Sequence, residues 1–230
     1  MYSLRCMLVA AAMTCGGLLA SAIAQTRPAR TAMVVAPLPL PTAVVRLRVQ
    51  VRPSPGMTRT VQNGMCGELT RIWARYAIRI TCGLSTAIDA PDASLRVYVF
   101  DEHLSLGSAG RREHAIAAIV FSGSQPTPVV LASMRAASDL ARNAPEVRAG
   151  SPGLRESLTS LVLGRVLAHE VGHFLFESPD HVGEGLMRPQ FDRWDAVTSR
   201  RERLDIEPAL VARLARRWPA VAAAAAGGVK

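Results

Sequence analysis

The sequence predicts an α+β domain in which several strands support one long buried helix. Three patterns carry this. Short segments of period-two alternation recur up to Leu131, an apolar stretch runs from Leu158 to Phe176, and helical spacing returns near the C-terminal end.

Taken in order, Val45, Leu47, Val49 and Val51 alternate with polar or charged residues between Val44 and Val51, as in a strand with one buried face. The run Pro53-Ser54-Pro55-Gly56 then turns the chain. Met65, Leu69, Ile72, Trp73 and Tyr76 fall at helical spacing between Thr60 and Tyr76, and Ile78 to Cys82 alternates again. A helix between two strands implies a right-handed crossover and parallel pairing. Further strands are expected at Leu95 to Phe100, Ala115 to Phe121 and Val129 to Leu131. Leu161, Val162, Val166, Leu167 and Val171 make Leu158 to Phe176 read as a buried helix, which Ser178-Pro179-Asp180 brings to an end. Ile206 to Trp218 is amphipathic, with Leu210, Val211 and Leu214 inward and Arg213, Arg216 and Arg217 outward.

The ends of the chain read differently. Residues 1–24 carry Arg5, an apolar run and Ala22-Ile23-Ala24, the pattern of a secretory signal peptide with an A-x-A cleavage site. Residues 25–42 form a Pro/Ala-rich linker, 43–218 the folded domain, and 219–230 a disordered Ala-rich tail. Cleavage removes Cys6 and Cys15 and leaves Cys66 and Cys82, which are expected to form a disulfide in an oxidising compartment. The expectation is a secreted or periplasmic protein, monomeric, with no stable membrane insertion after signal cleavage.

With 230 residues and 49% apolar composition, the chain suits a single domain with a sizeable core. Its formal charge of +9 is almost all arginine, Lys230 being the only lysine. No basic run with interleaved aromatics speaks for nucleic acid, and the charge is read as a solvated surface. His103 and His114, in polar surroundings, read as solvent-facing loop residues.

Chemistry concentrates in His169-Glu170-Val171-Gly172-His173. On a helix, residues four apart share a face, so His169 and His173 can offer two imidazole nitrogens to one Zn2+. Glu170, beside the first ligand, is the candidate general base that takes a proton from water. Two histidines and a glutamate in an otherwise apolar helix need partners, which a satisfied histidine pair would supply less completely than a metal. A catalytic zinc needs a third protein ligand from beyond this pair. His181, past the turn, is the preferred candidate, with Glu177 and Glu184 as rivals.

These residues resemble the signature of the metzincin clan of zinc endopeptidases, H-E-x-x-H-x-x-G-x-x-H followed by a methionine-containing turn. The third histidine comes two residues later here, and Phe176 stands at the signature's glycine. Closer is the pattern H-E-x-G-H-x-x-x-G-x-x-x-H with G-[IL]-M of uncharacterised secreted bacterial proteins, followed as His169, Glu170, Gly172, His173, His181, Gly185, Leu186 and Met187. Glu177 replaces the helix-ending glycine of that pattern, which leaves Pro179 as the expected helix breaker.

The resemblance implies a zincin-like catalytic domain: a twisted mixed sheet, an active-site helix, a Met turn and a C-terminal helix. It implies that Met187 forms a hydrophobic floor under the zinc and that Ala115 to Phe121 is an antiparallel edge strand for extended peptide or protein substrates. Beyond the Met turn, Phe191 and Trp194 are expected to pack under the site. It supplies no oxyanion stabiliser, since no tyrosine follows Tyr98. Two other function classes stay open: a non-catalytic zincin-fold binding or structural protein, and a zinc hydrolase of a non-protein substrate.

Overall fold

The structure is a computed structural model, and residues 45–84, 94–106, 113–144, 151–191, 193–198 and 200–218 are described here. The signal peptide, the linker and the tail expected from the sequence lie outside the described residues.

The chain starts with β1 (Val45–Arg52), helix α1 (Arg59–Ala74) and β2 (Ile78–Leu84). As the alternation requires, Leu47, Val49 and Val51 are buried, and Val61, Met65, Leu69, Ile72 and Trp73 of α1 join the same core. Thr58 caps α1, its hydroxyl accepting the Val61 N–H, and β1 and β2 pair in parallel from Val45/Ile78 to Val51/Leu84. Cys66 on α1 and Cys82 on β2 are joined by a disulfide, so the helix is tied to the strand that follows it.

Next come β3 (Leu95–Phe100), a small hairpin of β4 (Leu104–Leu106) and β5 (Glu113–Ala115), then β6 (Ala117–Ser122) and β7 (Gln125–Ser133). The main sheet has the order β2-β1-β3-β7-β6, parallel except for β6, which runs antiparallel to β7 at the edge. The expected single strand from Ala115 to Phe121 is thus two, and His114 sits on β5 rather than in a loop. β7 is longer than Val129 to Leu131, despite Pro126 and Pro128. Those prolines are tolerated because β3 pairs only with Val129 to Ser133, so the preceding part of β7 has a free side.

Helix α2 (Met134–Arg142), capped by Ser133, is unforeseen because it buries only Ala136, Ala137 and Ala141, too small to print an apolar period. Helix α3 (Pro152–Phe176) starts earlier than the apolar pattern; Ser151 caps it and Pro152 occupies its first position. Where α3 crosses α1, Gly64 and Gly164 leave no room for a side chain: a Cβ on Gly164 would lie 2.8 Å from the Met65 carbonyl oxygen. The chain ends with α4 (Arg193–Val197), a 3-10 turn (Arg201–Leu204) and α5 (Pro208–Arg217), which buries Leu214. No described helix is long and apolar enough to cross a membrane.

The arginines are not all surface charge. Arg165 of α3, 1% exposed, pairs with Glu68 of α1, 0% exposed, at 3.2 Å, and donates to the Asp195 and Thr198 carbonyls. Arg201 also reaches Glu68, at 3.1 Å, while Arg188 and Arg203 both engage the buried Asp195. Arginine's planar fork can satisfy a buried carboxylate and several carbonyls at once, and linear composition shows none of those partners.

Candidate metal centre

Helix α3 carries His169, Glu170 and His173, all buried, to a place where two other elements meet it. The His169 Nδ1 lies 2.7 Å from the Leu186 carbonyl oxygen and the His173 Nδ1 lies 2.7 Å from the Ser178 carbonyl oxygen. With Nδ1 as donor in each, the Nε2 lone pairs are left to face one another, 3.0 Å apart. His181 completes the group. Its ring stacks on His169 at a centroid distance of 5.2 Å and stands edge-on to His173 at 4.8 Å. One nitrogen from each of the three lies within 4.8 Å of the others, an all-imidazole donor set of the kind that suits zinc. Burial depresses the basicity of all three, that of His169 to about 4, which favours the neutral form that ligates a metal.

The path from His173 to His181 differs from the expected one. Glu177 itself adopts the left-handed conformation, φ 49° and ψ 46°, and its N–H returns to the His173 carbonyl, as does that of Ser178 at 3.3 Å. Pro179 is therefore not what ends α3; Glu177 takes the glycine's backbone role at some steric cost. Its side chain points to α5 and pairs with Arg217. Neither Glu177 nor Glu184, which is exposed in the loop, belongs to the cluster that gathers the three histidines.

The turn after His181 is built around the helix. Val182 N–H donates to the Met187 carbonyl at 2.9 Å, Gly185 has φ 74°, and Leu186 N–H reaches the Asp205 carbonyl at 3.2 Å. Met187 is buried against α3 at Gly172, where any Cβ would overlap the Met187 sulfur. Phe191 stands edge-on to His169 at 5.7 Å and Phe121 edge-on to His173 at 6.2 Å. The Phe191 expectation holds; the Trp194 side chain lies outside the described ones.

Glu170 faces the sheet edge. Its Oε2 accepts the Ile119 N–H at 2.8 Å, and its other oxygen has no partner among the described residues. The carbonyls of Ile116, just before β6, and of Val120 on it are turned toward β7, taking Ser133 N–H and the Thr127 hydroxyl, so Ile119 presents its N–H on the open edge. Burial pushes the Glu170 carboxyl up to about 7, opposed by the Ile119 hydrogen bond.

The structure brings together the three histidines and the glutamate that the sequence singles out. Sequence reasoning misses Ile119, the Leu186 and Ser178 carbonyls, and Arg217, because backbone groups and long-range pairs leave no mark on a motif. His103, exposed, pairs with Asp139 at 3.2 Å on α2 and is not part of the centre.

No protein-family model matches the chain, and no curated protein does. Among solved structures it is similar to archaemetzincin from Methanopyrus kandleri, with a TM-score of 0.51 over 74% of this chain and 94% of that one, at 11% identity. That likeness shows the fold: an α+β, zincin-like domain with a five-stranded mixed sheet, as the motif's resemblance implies.

Proposed function

We infer that the protein is a zinc-dependent metallopeptidase that hydrolyses peptide bonds, exported to the periplasm or outside the cell and acting as a monomer. The observation that carries this reading is the convergence of His169, His173 and His181 beside a buried carboxyl, Glu170, that opens onto a sheet edge. The name of the solved neighbour, archaemetzincin, agrees with it. The disulfide and the lack of a membrane-crossing helix among the described residues are compatible with export.

When bound by the three histidines, zinc would supply a Lewis acid that polarises a carbonyl and makes water more acidic. The chain's own groups do the rest. Leu186 and Ser178 carbonyls fix the tautomers of His169 and His173, and Met187 packs against Gly172 of the same helix. Glu170, with a carboxyl balanced near neutrality, takes a proton on its unpartnered oxygen and later returns it to a leaving amine, while Ile119 holds the other oxygen. The open edge of β6 is suited to align an extended peptide.

The test compares the native chain with Glu170→Gln, measuring zinc content by elemental analysis and cleavage of unfolded casein. About one zinc per chain in both, with hydrolysis reduced about 10²–10⁴-fold in the variant, is expected. A native protein without zinc overturns the reading. Zinc with no cleavage of any protein substrate turns it toward a non-catalytic zincin-fold protein or a hydrolase of non-protein substrates.

A further inference from the structure

The main sheet has a second face. On β1 the buried Leu47, Val49 and Val51 alternate with Arg46, Arg48, Gln50 and Arg52, which therefore point away from the core. Strand register carries that face outward in both directions. On β2, Arg79 lies beside Arg46 and Thr81 beside Arg48; on β3, Arg96 lies beside Gln50 and Tyr98 beside Arg52; on β7, Val129 and Leu131 lie beside Arg96 and Tyr98. Each of these residues is half-buried or exposed.

The face has two halves of different chemistry. Arg46, Arg48, Arg52 and Arg79 fill the half on β2 and β1, Arg96 stands at its border, and no carboxylate occupies an outward position on β1, β2 or β3. Arg46 and Arg79 are direct neighbours on adjacent strands, about 5 Å apart at their backbones, and Arg48 follows Arg46 about 7 Å along the strand. Like charges so placed repel one another and weaken a sheet. Arg46, Arg52 and Arg79 are exposed and have no ion-pair partner among the described residues. The acids Asp101 and Glu102 come only after β3 has ended, and Asp101 is turned to the Gly56 N–H. The half on β3 and β7 is apolar, with Tyr98, Val129 and Leu131 half-buried and Phe100 44% exposed.

An external anion complements the first half, and the second half narrows its kind. A polynucleotide or an acidic peptide would follow the arginines along one line and offer nothing aliphatic to Val129 and Leu131. A bilayer with anionic headgroups answers both halves at once. Its phosphates meet cations spread over three strands, and the strip beside them rests at the boundary between headgroups and acyl chains, a level that suits tyrosine.

We propose that this outward face docks on an anionic phospholipid surface, with Arg46, Arg48, Arg52 and Arg79 on the phosphates and Tyr98, Phe100 and Leu131 against the headgroup boundary. The contact is peripheral. It leaves out the three-histidine centre, which α3 carries in the core on the other face of the sheet.

Flotation of the full chain with lipid vesicles tests this. The quantity read is the partition onto phosphatidylcholine containing about one-third phosphatidylglycerol, divided by that onto phosphatidylcholine alone. Purely apolar segments do not distinguish the two lipids and cancel in the ratio. At about 0.1 M salt the ratio is expected to be about a hundredfold, and in about 1 M salt to fall to within about threefold of unity. Arg46→Gln combined with Arg79→Gln should lower it about tenfold, whereas Arg213→Gln with Arg216→Gln on α5, an equal change of charge, should alter it less than about twofold. All four positions are exposed, so folding is not at risk. Phe100→Ser should reduce partition onto the anionic vesicles about threefold. No preference for phosphatidylglycerol, an equal fall in the two double variants, or no effect of Phe100→Ser would overturn the proposal. So would tighter binding of a thymidine oligonucleotide than of the vesicles at equal phosphate concentration, which would make the face a nucleic-acid platform instead.

Discussion

Gly172 and Met187 touch across the boundary between α3 and the turn that follows the third histidine: a Cβ built on Gly172 would lie 3.0 Å from the Met187 methyl and would overlap its sulfur. The glycine of the HExGH pattern is thus a packing requirement. The adjacent Leu186 carbonyl orients His169, so displacement of this turn reaches the metal centre.

Gly172→Ala is accordingly expected to destabilise the fold by about 1–3 kcal/mol through overpacking and to weaken zinc retention. Combining it with Met187→Ala should cost less than the sum of the two single changes, because the double variant removes the clash. Denaturant midpoints and zinc content of the four proteins check this.

His181→Ala should lose zinc, while Glu177→Ala should retain it, as measured by elemental analysis after dialysis. Glu177→Gly should go further and stabilise the protein by about 1 kcal/mol, since it relieves a left-handed residue. The pair it gives up with Arg217 is about half exposed on both sides and offsets little of this. A fall in melting temperature for Glu177→Gly would contradict the backbone assignment.

Proton release on zinc binding reports the electrostatics of the centre. At pH 6 in the metal-free protein, His169 with its pKa of about 4 is neutral, and Glu170 with its pKa of about 7 is mostly protonated. Zinc nearby favours the carboxylate. Binding at pH 6 should therefore release up to about one proton from Glu170 and none from His169, and Glu170→Gln should lower the release by that amount. Calorimetry in buffers of different ionisation enthalpy measures it.

The same shifts set the stability of the metal-free fold. Glu170 is raised, so its contribution is full below its ordinary 4.5 and is lost as the pH rises through about 7. His169 is lowered, so its contribution is full above its ordinary 6.5 and is lost as the pH falls toward about 4. Melting temperatures of chelated protein should fall between pH 6.5 and 8 on account of Glu170, and Glu170→Gln should flatten that limb.

Glu68→Ala leaves Arg165 buried without its carboxylate and is expected to cost about 3–5 kcal/mol. Replacing both residues by leucine should cost less, because no uncompensated charge remains. A double variant as unstable as Glu68→Ala would mean that the Arg165 bonds to the Asp195 and Thr198 carbonyls carry the energy instead.

The sequence by itself determined what local period and local spacing encode. Strand alternation placed the buried faces of β1, β2 and β3, and helical spacing placed Met65, Leu69 and Trp73 in the core. Four-residue spacing put His169 and His173 on one face, with Glu170 beside them. What depends on long-range contact had to wait for the fold. Tertiary structure decided that His181, rather than Glu177 or Glu184, joins the cluster, because Glu177 turns the chain left-handed and swings its side chain to Arg217. It decided that arginines serve as buried struts and that Ile119, far from the motif in sequence, holds Glu170. Backbone carbonyls, edge N–H groups and ion pairs between distant elements gain their partners only when the chain has folded, and no period in the sequence announces them.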